Sequence, residues 1–132
     1  MRKFGLLAAI VGMLGWALPA VAQSGAYLAN GLSTTVKTAR TCPASAVVPC
    51  GMVWLSCLNP NASAAYVQVF DTTGTVTLGT AVPKLSFGLG ATQATVFAVD
   101  VKFVAAVKIA ATTTATGNTA PGTALDCNVG IQ

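Results

Sequence analysis

Short runs of β-branched and aromatic residues alternate with turn residues along most of the chain, a pattern that predicts strands. Turn chemistry is dense in NPNAS, DTTG, FGLGA and TGNTAPGT. The apolar spacing of FAVDVKFVAAVKIAA also fits a helix, but we interpret it as two strands around a bend that lacks glycine. Seven strands are predicted, over residues 33–38, 52–58, 65–71, 76–82, 94–99, 108–113 and 124–131.

About seven short strands, with a turn signal roughly every ten residues, predict an all-β fold. The expected architecture is a single-domain antiparallel β-sandwich, or a jelly-roll-like barrel, that follows an N-terminal signal peptide. Residues 25–39 could be an arm that completes a neighbouring subunit. Their polar alternation favours the first strand of the chain's own sandwich.

Two strands carry aromatic residues that bear on function. On the strand 65–71, Tyr66, Gln68 and Phe70 share one face, and the other face is apolar as well. This predicts a strand that is covered on both sides or faces a neighbouring subunit, so these three residues are a possible interface. Trp54 could stack against carbohydrate, but we interpret it as a core or half-buried strand residue and favour the core, because a single aromatic residue on a strand usually packs. Asn61 begins the sequon Asn-Ala-Ser, and we interpret it as a turn residue.

The first residues read as an export signal. Arg2 and Lys3 precede an apolar stretch, residues 4–18, and the small-x-small pattern at 20–22 predicts cleavage before Gln23. A retained membrane anchor is the alternative, but the apolar stretch is shorter than the roughly 20 residues that span a bilayer. The predicted organisation is a signal peptide over 1–22, an N-terminal strand and cysteine loop over 23–50, and a sandwich core over 51–132 that forms one domain with 23–50.

Charge is sparse once this leader is set aside. The whole chain carries +4, and five basic residues against three acids leave +2 on residues 23–132. The five basic residues are scattered, whereas nucleic-acid binding surfaces cluster them. We therefore expect no nucleic-acid partner. A chain with 54% hydrophobic and 8% charged residues favours packing against like subunits.

The four cysteines, Cys42, Cys50, Cys57 and Cys127, suit an exported protein with two disulfides. Four cysteines allow three pairings, and the sequence alone does not choose among them. Strand geometry favours Cys57 with Cys127, because both lie in strand-like runs, and Cys42 with Cys50 then closes the loop CPASAVVPC. A zinc site is disfavoured, because the chain has no histidine and no CxxC spacing.

Candidate catalytic groups are few. The absence of histidine excludes Ser-His-Asp and Cys-His arrangements. Asp71 precedes TTG, which is typical of a turn-forming residue, and Asp100 and Asp126 stand alone in the sequence, whereas glycosidases need two convergent carboxylates. Phosphate-binding glycine motifs are absent from the sequence. We expect no enzymatic activity, no catalytic residue, no metal and no cofactor, and no small-molecule substrate is evident.

Several pieces occur in order over about residues 52–131: the turn LNPNASAA, the aromatic strand YVQVFD, the step GTAVPKL, the segment VDVKFVAAVKIAATT, and a Thr/Ala/Gly-rich loop before the final strand. In this order the chain resembles small β-sandwich structural proteins of tailed phages and prophages. The resemblance implies a decoration-type or virion-associated component that acts through protein contacts, by self-association or in a virion lattice.

The resemblance and the leader together define the expected function. We expect a non-catalytic structural or interaction protein, exported to the periplasm, the cell surface or the medium, or carried on a virion. The alternative is a bacterial exported surface or matrix protein, pilin-like or adhesin-like, that adds strands at sheet edges. A secreted hydrolase or inhibitor is the third hypothesis.

Overall fold

The computed structural model describes residues 25–43 and 50–132 of the chain. The predicted signal peptide, residues 1–22, lies outside the described residues, and so do residues 44–49. The described residues form strands and contain no helix. The strands are β1 (Gly25–Leu32), β2 (Lys37–Thr41), β3 (Cys50–Leu58), β4 (Ala65–Asp71), β5 (Leu85–Leu89), β6 (Ala94–Phe103), β7 (Ala106–Thr112) and β8 (Leu125–Ile131).

The eight strands form two antiparallel four-stranded sheets, which confirms the predicted β-sandwich. Sheet 1 has the order β1-β8-β3-β6, and sheet 2 has the order β2-β7-β4-β5. First pairs with last throughout, β1 with β8, β2 with β7, β3 with β6 and β4 with β5. The chain is therefore one long antiparallel ribbon wrapped over itself, which is the topology of a jelly roll.

The core lies between the two sheets. It consists of the side chains, every second one along a strand, that face the opposite sheet. Its largest fully buried side chains are apolar. They are Phe103, Leu32, Met52, Leu55, Leu89, Ile109, Leu125, Val67, Val69, Val107 and Val129. A sandwich of this kind has two outer faces and four edge strands, β1, β6, β2 and β5, at which partners can meet it.

Two strand predictions were wrong. Residues 33–35 form a bend rather than a strand, and the chain instead places β1 before this Ser-Thr-Thr run and β2 after it. Residues 76–82 form a turn, because Gly79 has φ of 82° and Thr77 O accepts hydrogen bonds from the amides of Thr80 and Ala81. The next strand is β5, which begins later, at Leu85. It includes the first three residues of the predicted turn FGLGA, residues 87–89.

Candidate functional surfaces

The acidic residues are separated in the structure as they are in the sequence. Among the described residues, no group of three or more His, Cys, Asp or Glu side chains converges. Asp71 forms an ion pair with Lys84, with 2.7 Å between Oδ2 and Nζ. Asp126 Oδ1 accepts a hydrogen bond from the Gly31 amide at 3.1 Å, and Asp100 is exposed on β6.

Tyr66, Gln68 and Phe70 lie on the outer face of sheet 2, opposite the core-facing residues of β4. Gln68 is fully buried, Phe70 is 3% exposed and Tyr66 is half-buried. Two connections contact this face: residues 72–84, between β4 and β5, through Thr73 and Gly74, and residues 113–124, between β7 and β8, through Thr114 and Gly117. In this structure the chain's own loops cover the face, and an interface role for these three residues stays a prediction.

Specific hydrogen bonds hold both loops on sheet 2. Gln68 Nε2 donates to Thr112 Oγ1 at 2.8 Å and to Gly117 O at 3.0 Å. Lys108 Nζ donates to Thr73 O at 3.0 Å. Because these donors project from the central strands of the sheet, the loops form a third layer of the domain.

Both disulfides have the pairing that strand geometry favours. Cys57 and Cys127 lie directly opposite each other on β3 and β8, with their Cα atoms 4.2 Å apart. Cys42 and Cys50 are 5.5 Å apart and close the loop between β2 and β3. Two intramolecular disulfides are compatible with an oxidising, exported environment.

Two buried asparagines join three loops at one end of the sandwich. Asn59 Nδ2 donates to Ser63 O at 3.0 Å and to Gly90 O at 2.8 Å, and Asn59 Oδ1 accepts from Asn61 Nδ2 at 2.8 Å. Asn61 Nδ2 also donates to Thr123 O at 2.8 Å. The amide of the sequon is therefore buried and occupied in the folded chain, in agreement with a structural role for Asn61 in its turn.

Asp71, at the end of β4, joins two other connections, the one before β5 and the turn between β6 and β7. Its carboxylate accepts hydrogen bonds from the Ala105 amide at 2.9 Å and the Val104 amide at 3.1 Å, in the turn between β6 and β7. Burial raises the pKa of Asp71, but the hydrogen bonds from Lys84, Ala105 and Val104 outweigh burial and hold it below its ordinary value of 3.8. The charged form of Asp71 therefore stabilises the fold.

We expect Asp71→Asn to lower the free energy of unfolding by about 2 kcal/mol at neutral pH, since hydrogen bonds to a carboxylate are stronger than those to an amide. Because the folded pKa lies below 3.8, this stabilisation is present above that value and is lost as the pH falls through the folded pKa. Urea unfolding of both proteins from neutral pH to about pH 2 measures the difference.

Lys84→Ala is the matched control, because it keeps both turn hydrogen bonds while it removes the ion pair and the contacts of Lys84 with Lys102 O and the Phe103 ring. We expect it to cost about 1 kcal/mol, less than Asp71→Asn. Equal losses in the two variants would contradict the role given to the turn amides.

The outer face of sheet 1 differs from that of sheet 2 because it carries exposed apolar side chains. Leu28 on β1 is 61% exposed, Leu58 on β3 is 45% exposed and Val96 on β6 is 70% exposed. A Cβ on Gly130 of β8 would collide with the Trp54 indole, so the indole rests on the strand at this glycine. Three of the four strands of sheet 1 therefore expose an apolar side chain, and the Trp54 indole covers the fourth, β8, at Gly130.

Trp54 is half-buried on the strand, one of the two positions that the sequence indicated, but it does not lie in the core that the sequence favoured. Met52 is buried, and regular alternation would direct Trp54 inward as well. The pairing of β3 with both neighbours shifts register between Met52 and Trp54. This irregularity at Val53 directs Leu55 into the core and leaves Trp54 half-buried on the outer face.

A shallow groove of about 140 Å³ lies between the edge strands β1 and β2. Its lining is Gly25, Ala26, Tyr27, Ala39, Arg40 and Ile131. Arg40 is the one charged group of this lining. This groove has no convergent polar groups, so we assign it no ligand.

The sequence signals singled out interface residues on one outer face of the sandwich and none on the other. The candidates Tyr66, Gln68 and Phe70 are brought together but covered, whereas the exposed apolar positions 28, 58 and 96 were not singled out. The sequence signal that could have identified Val96 is the alternation along residues 94–103. In the structure the even-numbered residues 94–102 of this strand are consistently the more exposed, and Val96 is one of them.

Within the part of the chain that the structure describes, no helix is long and apolar enough to cross a membrane. Comparisons with models of known protein families, with curated proteins and with solved structures give no match to this chain.

Proposed function

We propose that this chain is a non-catalytic structural protein that works through contacts with other protein subunits, as a component of a phage virion or a prophage-derived particle. The observation that carries the proposal is the outer face of sheet 1, where Leu28, Leu58 and Val96 are exposed beside Trp54. Exposed apolar side chains spread over one sheet favour a protein partner.

The virion assignment has two supports of different kinds. The resemblance of residues 52–131 to phage and prophage structural proteins indicates the kind of assembly. The jelly-roll topology adds an analogy only, since the fold serves capsid proteins, lectins and cupins alike. The dispersed acidic residues favour a structural role over a secreted hydrolase.

A bacterial exported surface or matrix protein is the second candidate, and the two disulfides favour it, because they form in oxidising compartments. The strand exchange used by pilin-like proteins would need a donated segment. Residues 25–32 of the candidate arm, 25–39, pair with β8 of the same chain here.

The proposal predicts that the protein copurifies with particles from a culture that carries its gene. Density-gradient fractions and the cell envelope fraction would be quantified by peptide mass spectrometry. We expect the chain in the particle band, in proportion to the major capsid protein. The purified protein added to a particle-free lysate is the control, and it should stay at the top of the gradient.

Intact mass in the same experiment tests processing. We expect loss of residues 1–22 and a gain of four hydrogens on reduction, since each of the two disulfides takes up two. Enrichment in the cell envelope with none in the particle band would reject the virion proposal in favour of the surface protein.

A further inference from the structure

One edge strand of sheet 1 is β6, which pairs with β3 on one side only. Within the described residues no strand lies beyond it. The Asn59 amide donates to Gln93 O at 2.8 Å, which continues the pairing of β3 with β6 and shows that the backbone of Gln93 is directed toward β3. Because backbone direction alternates along an antiparallel strand, Ala94, Val96 and Ala98 direct their amide and carbonyl groups to the open edge.

One end of this edge is already occupied by the Asp71–Lys84 pair. Lys84 Nζ donates to Lys102 O at 2.6 Å, and Asp71 accepts from the Val104 amide. Exposure alternates without a break along β6, so Lys102 follows the same phase as Val96. The unoccupied part of the edge therefore runs over residues 94–100.

The opening between the sheets beside this edge is lined by half-buried apolar side chains. The rings of Phe87 on β5 and Phe97 on β6 meet there, with their centroids 4.9 Å apart. Leu85, Val99 and Val101 pack against the core from the same two edge strands and are also partly buried. A strand added to β6 would cover part of this apolar surface.

We propose that a second copy of this chain pairs with β6, strand antiparallel to strand, about a two-fold axis at Phe97. The inference rests on the proposed function as a self-associating structural protein and names the surface it uses. Two copies would form one continuous eight-stranded sheet, since each contributes the four strands of sheet 1. The exposed apolar side chains of both outer faces would then lie on the same side.

The open edge itself selects this register. Pairing about Phe97 places Val96 opposite Ala98 of the second copy, and Ala94 opposite Asp100 of the second copy. All the free backbone groups of residues 94–100 are then paired, and the contacts to Lys102 stay intact. A register nearer Lys102 would displace Lys84, because it needs the carbonyl that Lys84 binds.

Charge also suits a second copy in this register. Residues 94–99 carry no charged side chain, so identical segments oppose no like charges. The two Asp100 side chains would lie about 20 Å apart, six residues along the strand, which exceeds the screening length at physiological salt. On the inner face the two Phe97 rings would meet at the axis, next to Phe87 of each copy.

Three charge variants test the proposal on the purified full-length protein, by sedimentation velocity and native mass spectrometry over a range of concentrations. Val96→Asp places a carboxylate diagonal to Asp100 of the second copy and to its own symmetry mate. Because these like charges repel, we expect the dissociation constant of the dimer to rise at least tenfold. Val96→Lys places an ammonium group diagonal to the same carboxylate. This attraction, made twice in the dimer, offsets the single repulsion between the two symmetry-related ammonium groups, so we expect a change below about threefold.

Val82→Asp is the matched control, because it makes the same change at an exposed apolar position between β4 and β5, outside sheet 1. We expect its dimer to match the wild type. Urea unfolding of all three variants checks that each folds, which their exposed positions favour.

A wild-type protein that stays monomeric at every concentration overturns β6 pairing, and so does dissociation caused by Val82→Asp but not by Val96→Asp. Equal weakening by Val96→Asp and Val96→Lys overturns the register about Phe97. A monomer that is nevertheless found in the particle band rejects the β6 dimer and leaves the proposed function standing, so the two failures are distinguishable.

Discussion

Replacing Cys57 and Cys127 together by alanine is expected to lower the free energy of unfolding by about 4 kcal/mol in the loop-entropy model. The disulfide joins residues 70 apart in sequence, so its removal frees most of the unfolded chain. It also links the two central strands of sheet 1, β8 and β3. Urea unfolding of the variant and the wild type under oxidising conditions measures the loss.

The second disulfide is the internal control for this prediction. Cys42 and Cys50 are 8 residues apart, so their joint replacement by alanine should cost about 2 to 3 kcal/mol in the same model. The two double variants therefore rank by loop length. A larger loss from the Cys42/Cys50 variant would contradict this account of how the disulfides stabilise the domain.

Asn59→Ala is expected to destabilise the protein by about 3 kcal/mol, which is large for the loss of one polar side chain. Asn59 is fully buried, and its amide joins the loop after β3 to Gly90 in the loop before β6. Removing it leaves the carbonyls of Ser63 and Gly90 without this donor, and Asn61 without its acceptor. Thermal or urea unfolding measures the change.

Asn128→Ala provides the matched comparison, because it is the same substitution at an exposed strand position on β8. We expect a change within about 0.5 kcal/mol there. If the two variants lost similar stability, the asparagine pair at positions 59 and 61 would not hold the loops together as described.

The two outer faces of the sandwich differ in what covers them. Loops of the chain itself lie on sheet 2 and are held by Gln68 and Lys108. Sheet 1 instead exposes Leu28, Leu58 and Val96. In an assembly, sheet 1 and its β6 edge would therefore meet neighbouring subunits, and the layered loops of sheet 2 would face away from them.

Local pattern predicted several elements well. The strand 65–71 has the predicted limits, and FAVDVKFVAAVKIAA forms β6 and β7 around a bend at 104–105. Both are runs of β-branched and aromatic residues with clear turn residues or a sharp bend at their ends. Residues 76–82 have the same composition, but Gly79 and the hydrogen bonds to Thr77 turn the chain there.

The sequence by itself determined the class of fold, the approximate strands and the cysteines available for two disulfides, because these follow from composition, period-two alternation and turn residues. Only the tertiary structure decided which face of each strand is covered. An apolar face looks the same in sequence whether a second sheet, a loop or a partner covers it, as Phe70 under its loops and exposed Val96 illustrate. The irregularity at Val53, which turns Trp54 outward, and the position of β6 at an edge arise from long-range pairing that local pattern does not contain.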